Sequence, residues 1–179
     1  MSSDADSRLT YACAPPLGVA RVDVVVTGGP GAATVPWLLS RVPEGYRAIV
    51  VDDVAEGLAA STAPVVALLD AGADVDPAEL PRVAEPVVRG SVDLVLGRPR
   101  PAAPAPWHRR VAAAVLGREH PTPDPTPVRA ARREGLSALG LAGTDLVQQL
   151  AAAAENAGWR VAEVPVRSAS EARAASPKP

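Results

Sequence analysis

Acidic side chains follow two apolar runs of the sequence, at the point where each run ends. Asp52 and Asp53 close one run, and Asp70 closes the next, with Asp74 four residues later. Carboxylates gathered at one place repel one another unless a cation or hydrogen bonds neutralise them. Hard oxygen ligands of this kind suit Mg²⁺ or Mn²⁺, which in turn bridge phosphate oxygens. The alternative for Asp53 and Asp70 is structural, because an aspartate after a strand also caps helices and turns the chain.

A glycine-rich stretch, residues 27–31, follows the first apolar run. Gly28 and Gly29 would let the backbone approach a phosphate closely. The spacing departs from the dinucleotide-binding pattern, since Thr34 stands where that pattern has its last glycine, and the lysine of a P-loop is absent. A tight turn is therefore the favoured interpretation, and a phosphate contact is the alternative.

The elements that would position these residues alternate between two kinds. β-Branched apolar runs predict strands, nearly continuous as in strands buried on both faces of a parallel sheet. Apolar residues at helical spacing predict helices between the strands. The fold class is therefore α/β, a single Rossmann-like domain with a mostly parallel sheet flanked by helices. The predicted strands are 22–26, 48–51, 64–69, 92–97 and 159–166, and the predicted helices are 34–41, 77–89, 106–118 and 145–157. In such a sheet, ligands bind at the carboxyl ends of the strands, where the acidic and glycine-rich segments fall.

Length and composition bound the possible functions. A chain of 179 residues with 47% apolar and 21% charged residues forms one domain. We predict a flexible leader over 1–19, the domain over 20–168 and a disordered tail over 169–179. The net charge of −2 gives no support to a nucleic-acid partner, and no apolar run is long enough to form a transmembrane segment. The start of the sequence lacks the pattern of a secretory signal, which favours a cytoplasmic location.

Several motifs, taken in order, resemble the GT-A glycosyltransferases of family 2, especially the branch of polyprenyl-phosphate-sugar synthases. The matching segments cover roughly residues 21–167. They are the first strand at 24–26, a V-V-D-D at 50–53, the approach to a D-x-D at 58–70, a D-P-x-x-L-P at 76–81, a D-L-V-x-G-x region at 93–98, a D-x-x-P-x-R-A at 124–130 and a closing strand at 158–166.

The resemblance implies an activity and a set of site residues. It implies transfer of a sugar from a nucleotide-diphosphate sugar to an acceptor such as a polyprenyl phosphate, assisted by Mg²⁺ or Mn²⁺. A lipid-linked acceptor would bring the protein to the membrane periphery. The resemblance implies Asp124 as the catalytic base, Asp52, Asp53 and Arg129 as nucleotide-sugar-binding residues, and Asp70 as a metal ligand. The glycine-rich stretch itself adds Gly28 and Gly29 to the predicted nucleotide-sugar-binding residues, and Asp74, two residues beyond the family position, is predicted as the second metal ligand.

The sequence departs from that family pattern at the metal motif. Gly72 replaces the second aspartate of the D-x-D, and a strand–helix segment between Asp53 and Leu58 is missing. A diphosphate leaving group needs neutralising charge, so these losses leave a second hypothesis open. In it, the chain is a non-catalytic relative that keeps the fold as a binding or scaffolding module. A nucleotidyltransferase, suggested by the glycines after the first strand, is the third alternative.

Overall fold

The computed structural model describes residues 20–28, 32–100, 127–140 and 143–175. In these ranges six strands form one sheet in the order β2-β1-β3-β5-β4-β6. The strands are β1 (Val22–Thr27), β2 (Tyr46–Val51), β3 (Val65–Asp70), β4 (Leu94–Pro99), β5 (Val128–Arg132) and β6 (Val161–Val166). The helices are α1 (Val35–Ser40), α2 (Val54–Ala60), α3 (Leu80–Val88), α4 (Arg133–Ala138), α5 (Gly143–Asn156) and α6 (Ala169–Ala175), and a 3₁₀ turn at Pro77–Glu79 precedes α3.

The sheet is mostly parallel, as predicted, with one exception. Strand β1 pairs in parallel with β2 and β3, and β4 pairs in parallel with β6. Strand β5 lies between β3 and β4 and is antiparallel to both. The sequence analysis missed β5 because its residues, Val-Arg-Ala-Ala-Arg, form a short run with a single β-branched residue.

Helices cover both faces of the sheet and bury it. On one face, α1 and α3 pack through Val35, Leu38 and the apolar stripe of α3. On the other face, α2 packs through Val54, α4 through Leu136 and α5 through Leu150. Both faces of the central strands are therefore apolar, which explains why the strand sequences are nearly continuous apolar runs.

The predicted elements that lie in the described ranges are found, with one difference at the C-terminal end. The helix expected at 106–118 and the leader 1–19 lie outside the described residues. Residues 169–175, expected to belong to a disordered tail, form α6. That prediction is wrong for these residues because Ala169 and Ala172 are buried, a burial that the small, Ala- and Ser-rich composition of the segment did not indicate.

Candidate functional site

The first three strands end side by side at one edge of the sheet. Thr27 at the end of β1 pairs with Val51 at the end of β2 and with Asp70 at the end of β3. The segments that follow these strands therefore leave the sheet at adjacent points. This edge, which we call the carboxyl edge, brings together the glycine stretch and the two acidic segments that the sequence singled out.

Asp70 is exposed at the carboxyl edge. Its Oδ1 accepts a hydrogen bond of 2.7 Å from the backbone N–H of Gly72, which closes a short turn after β3. Gly72 is itself exposed. The aspartate thus turns the chain, as the structural alternative expected, while its side chain stays open to solvent.

Gly28 lies against the turn that follows β3. Its backbone has a φ of +123°, and a Cβ at this position would lie 2.9 Å from the Cβ of Ala71. The N–H of Ala71 donates to the carbonyl oxygen of Thr27 at 2.7 Å, and the hydroxyl of Thr34 donates to the carbonyl of Ala71 at 2.8 Å. Only glycine combines this φ with so close an approach. Gly29 lies outside the described residues.

The acidic pair after β2 is exposed at the same edge. Asp53 caps α2, because its Oδ1 accepts a 2.7 Å hydrogen bond from the backbone N–H of Ala55. Asp52 precedes it and is exposed. The cap uses one oxygen of Asp53, so its carboxylate still faces solvent at the carboxyl edge.

Arg129 is buried in β5 rather than exposed at the edge. It lies in the sheet between Leu68 of β3 and Leu96 of β4, with 6% of its surface exposed. Side chains alternate along a strand, so Leu68 and Asp70 face the same side, and Arg129 faces that side too. Asp124, the expected base, lies outside the described residues.

Asp74 is held by the C-terminal helix. Its Oδ1 accepts from the backbone N–H of Ser170 and its Oδ2 from the hydroxyl of Ser170, both at 2.9 Å. The sequence analysis predicts that Asp74 and Asp70 coordinate a metal ion together. In the structure both Asp74 oxygens are engaged by α6 instead.

An ion-pair network beneath the edge was missed by the sequence analysis. Asp76, fully buried, accepts two hydrogen bonds from Arg41 at 2.8 and 2.9 Å. Arg167 donates to the buried carboxylate of Glu79 at 2.7 Å and lies 3.7 Å from Asp76. Asp76 also caps the 3₁₀ turn before α3, because its Oδ1 accepts a 3.1 Å hydrogen bond from the N–H of Ala78. No feature of the sequence near Asp76 indicated that it would pair with Arg41 and Arg167, which lie far away along the chain.

Comparison with known proteins decides the family. No protein-family model matches the chain. Uncharacterized glycosyltransferases of Mycobacterium bovis and Mycobacterium tuberculosis are each 34% identical to it over 173 residues, a match that covers 74% of this chain and 78% of theirs. The chain belongs to the glycosyltransferases.

Solved structures agree with this glycosyltransferase in fold. A glucosyl-3-phosphoglycerate synthase of M. tuberculosis, in complex with Mn²⁺, UDP and phosphoglyceric acid, superposes with a TM-score of 0.53 at 16% identity. The match covers 83% of this chain and 69% of that one. The same enzyme in complex with Mg²⁺ and UDP gives a TM-score of 0.52 at 17% identity. The GT-A-like fold expected from the sequence is thereby confirmed.

Two physical properties bear on what this glycosyltransferase can bind. Across the described residues, no group of three or more His, Cys, Asp or Glu side chains is arranged to hold a metal ion. Asp70 and Asp74 are both exposed carboxylates: Asp70 accepts a hydrogen bond from the N–H of Gly72, and Asp74 accepts one at each oxygen from Ser170. Within the same part of the chain, no helix has the length and apolar character needed to cross a membrane.

Proposed function

We propose that this glycosyltransferase binds a nucleotide-diphosphate sugar at the carboxyl edge and transfers the sugar to an acceptor. The observation that carries the proposal is the junction of Gly28 with the Asp70 turn, where a backbone free of side chains lies beside an exposed carboxylate. Membership of the glycosyltransferases supplies the reaction class, and the junction supplies a place for the diphosphate.

The proposed donor site divides into a base end and a phosphate end. Asp52 and Asp53, exposed after β2, would accept hydrogen bonds from the base or ribose. Gly28 and Gly29 would let the diphosphate approach the backbone. Asp70 would hold Mg²⁺ or Mn²⁺, which when bound neutralises charge on the diphosphate. Hydrogen-bond donors and cations at this point stabilise the charge that develops on the leaving group.

The transfer breaks one bond and forms another at the anomeric carbon of the sugar. An acceptor oxygen attacks that carbon, and the bond to the diphosphate oxygen breaks with its electron pair leaving on the diphosphate. A hydroxyl acceptor also loses a proton, for which we propose Asp124 as the base. An ionised phosphate acceptor brings its own negative oxygen and needs no base.

The acceptor we propose is a phosphate-bearing molecule, with a polyprenyl phosphate as the specific candidate. The phosphate contact we propose is Arg129, which lies in β5 on the same side of the sheet as Asp70, with 6% of its surface exposed. A guanidinium is suited to a phosphate through two parallel hydrogen bonds. A lipid-phosphate acceptor would place the reaction at a membrane surface.

A non-catalytic role is the second candidate, and two observations favour it. Gly72 provides no carboxylate where the resembling family has its second aspartate, and Asp74 is engaged by Ser170. In this role the protein would bind a nucleotide sugar, or only a partner, without turnover. The nucleotidyltransferase alternative loses its support, because the curated relatives are glycosyltransferases.

Thermal unfolding with a panel of ligands tests the donor site first. We would compare uridine, guanosine, cytidine and thymidine diphosphates and their sugars, with and without Mn²⁺. A ligand at 100 times its dissociation constant stabilises the fold by about 2.7 kcal/mol, which produces a clear rise in melting temperature. A Mn²⁺-dependent rise with one base is the expected result. No rise with any of them would refute the donor site.

Once the donor is identified, an assay for release of its nucleoside diphosphate distinguishes a transferase from a protein that only binds the donor. Turnover with a polyprenyl phosphate in detergent, compared with inorganic phosphate and water, is the expected result for a transferase. Asp70→Asn should abolish that turnover. Glu44→Gln is the matched control, because Glu44 is an exposed carboxylate in the turn before β2, at the opposite edge of the sheet. Binding without turnover on any acceptor would favour the non-catalytic role.

A further inference from the structure

The C-terminal helix α6 is fastened at its first turn to the loop that follows β3. Ser168 and Glu171 form a reciprocal cap, with the hydroxyl of Ser168 accepting from the N–H of Glu171 and the carboxylate of Glu171 accepting from the N–H of Ser168, each at 3.1 Å. Between them, Ser170 donates its N–H and its hydroxyl to the carboxylate of Asp74. One carboxylate thus joins two segments that are 96 residues apart.

Further along, α6 contacts helix α1. The guanidinium of Arg173 lies 4.2 Å from the centroid of the Trp37 ring, a cation–π contact. Arg41, the residue that directly follows α1, has its guanidinium 5.5 Å from the centroid of the same ring and donates hydrogen bonds to Asp76. Helix α6 therefore spans from the loop after β3 to α1. These are the two segments that flank Gly28, because α1 follows the glycine stretch and Ala71 begins the loop after β3.

Asp70 and Asp74 have different surroundings. Both side chains are exposed, and the hydrogen bond to the Asp70 side chain comes from Gly72, within its own turn. Asp74 instead accepts at both oxygens from a distant element. The two 2.9 Å hydrogen bonds fix the orientation of the Asp74 carboxylate against Ser170, so its position follows α6 and not the turn that holds Asp70.

We propose that Asp74 is a positioning residue that anchors α6, and that the divalent cation is held by Asp70 and the nucleotide diphosphate without Asp74. The part that concerns the cation rests on the proposed donor site, whereas the anchoring part stands without it. Anchored in this way, α6 ties the loop after β3 to α1 and keeps Ala71 against Gly28. Loss of the anchor should weaken nucleotide binding through the loop and leave the response to Mn²⁺ unchanged.

Two measurements on the full chain test the proposal. Hydrogen exchange of the backbone amides of 169–175 reports on the docking of α6. Electron paramagnetic resonance of Mn²⁺, titrated with the nucleoside diphosphate saturating for each variant, reports on cation binding. The variants are Asp74→Ala, Asp70→Ala and Ser170→Ala, the last of which removes only the hydroxyl donor.

The expected pattern separates the two aspartates. Asp74→Ala should raise exchange in α6 by about tenfold or more while Mn²⁺ affinity stays within about twofold of the unmodified protein. Asp70→Ala should lower Mn²⁺ affinity by about tenfold or more and leave α6 protected. Ser170→Ala should raise exchange by less than Asp74→Ala, because the backbone N–H still reaches the carboxylate.

Either of two results would overturn the proposal. One is loss of Mn²⁺ binding in Asp74→Ala comparable to that in Asp70→Ala; the other is unchanged protection of α6 in Asp74→Ala. If Asp74→Ala does not fold, Ser170→Ala decides through the same two measurements. If the unmodified protein binds no Mn²⁺ with any nucleoside diphosphate, the donor site and the cation part both fail. Hydrogen exchange then still decides whether Asp74 anchors α6.

Discussion

Asp76 and Arg41 form a two-point ion pair below the carboxyl edge, with the carboxylate fully buried and the guanidinium partly exposed. Burial would by itself raise the pKa of Asp76. Hydrogen bonds from Arg41 and from the N–H of Ala78, together with the charges of Arg41 and Arg167, outweigh burial and lower that pKa below its ordinary value. The pair fixes the end of α1 to the loop after β3, and so supports the same two segments that meet at Gly28.

Asp76→Asn should therefore destabilise the fold. The amide keeps the shape of the carboxylate but removes its charge, and Arg41 loses its counter-ion. Because Arg41 retains some access to water, we expect a loss of about 2 kcal/mol in the free energy of unfolding. Urea unfolding measures it as a lower midpoint with an unchanged slope.

The matched control for Asp76→Asn is Glu85→Gln, which breaks an exposed helical ion pair with Arg89 at 3.3 Å. Pairs of that kind contribute at most about 0.5 kcal/mol. Equal losses in the two variants would show that burial adds nothing to the Asp76 pair.

Gly28→Ala should damage both stability and nucleotide binding. The added Cβ would meet Ala71 at 2.9 Å, and a φ of +123° strains any other residue. We expect a loss of about 1–3 kcal/mol in stability. We also expect the nucleotide affinity to fall about tenfold, which corresponds to a loss of about 1.4 kcal/mol in binding free energy. Urea unfolding and calorimetric titration of the nucleotide measure the two effects.

Gly45→Ala is the control for backbone strain in that experiment. Gly45 has a φ of +82° with no atom near its Cβ position, and it precedes β2 at the opposite edge of the sheet. It should lose stability but keep nucleotide affinity. If Gly28→Ala binds nucleotide as tightly as Gly45→Ala does, the phosphate end of the donor site lies elsewhere.

Two substitutions of Asp53 separate its roles as helix cap and as nucleotide contact. Asp53→Ser preserves a good cap but removes the carboxylate, whereas Asp53→Ala removes both. We expect Asp53→Ala to lose about 1 kcal/mol of stability and Asp53→Ser to lose little. Both variants should bind nucleotide more weakly, as seen by calorimetry. Unchanged affinity in Asp53→Ser would restrict Asp53 to capping α2.

The pairing of Asp93 with Arg160 should appear in the pH dependence of stability. Hydrogen bonds from the side chain and the backbone N–H of Arg160 lower the pKa of Asp93 from 3.8 to about 2. The unfolded chain therefore takes up this proton at higher pH than the folded protein. The stabilisation is complete above the ordinary pKa and is lost as pH falls through the folded pKa.

Asp93→Asn provides the comparison for that pH dependence. The gap in unfolding free energy between the unmodified protein and this variant should be constant near neutral pH and narrow between about pH 4 and about pH 2. Urea unfolding across that interval measures the gap. A gap that is independent of pH would show that Asp93 carries no such shift.

The sequence by itself determined the α/β class, five of the strands and the edge of the sheet at which the acidic and glycine-rich segments lie. These features are local, because a β-branched run and the aspartate that ends it are read within a few residues. The family resemblance rests on the order of such segments, so it too is present in the sequence. The positions of Asp53 and Asp70 at the carboxyl edge follow once the strands are taken as parallel.

Only the tertiary structure decided which partners these side chains have. The antiparallel course of β5 depends on neighbours that its short Arg- and Ala-containing sequence does not specify. Asp74, unlike Asp70, accepts its hydrogen bonds from a distant residue, Ser170, 96 residues away. Docking of α6 depends on long-range contacts with Asp74 and Trp37, and no periodicity in a seven-residue helix reports such contacts. Hydrogen bonds and ion pairs between distant segments form only when the whole fold brings them together.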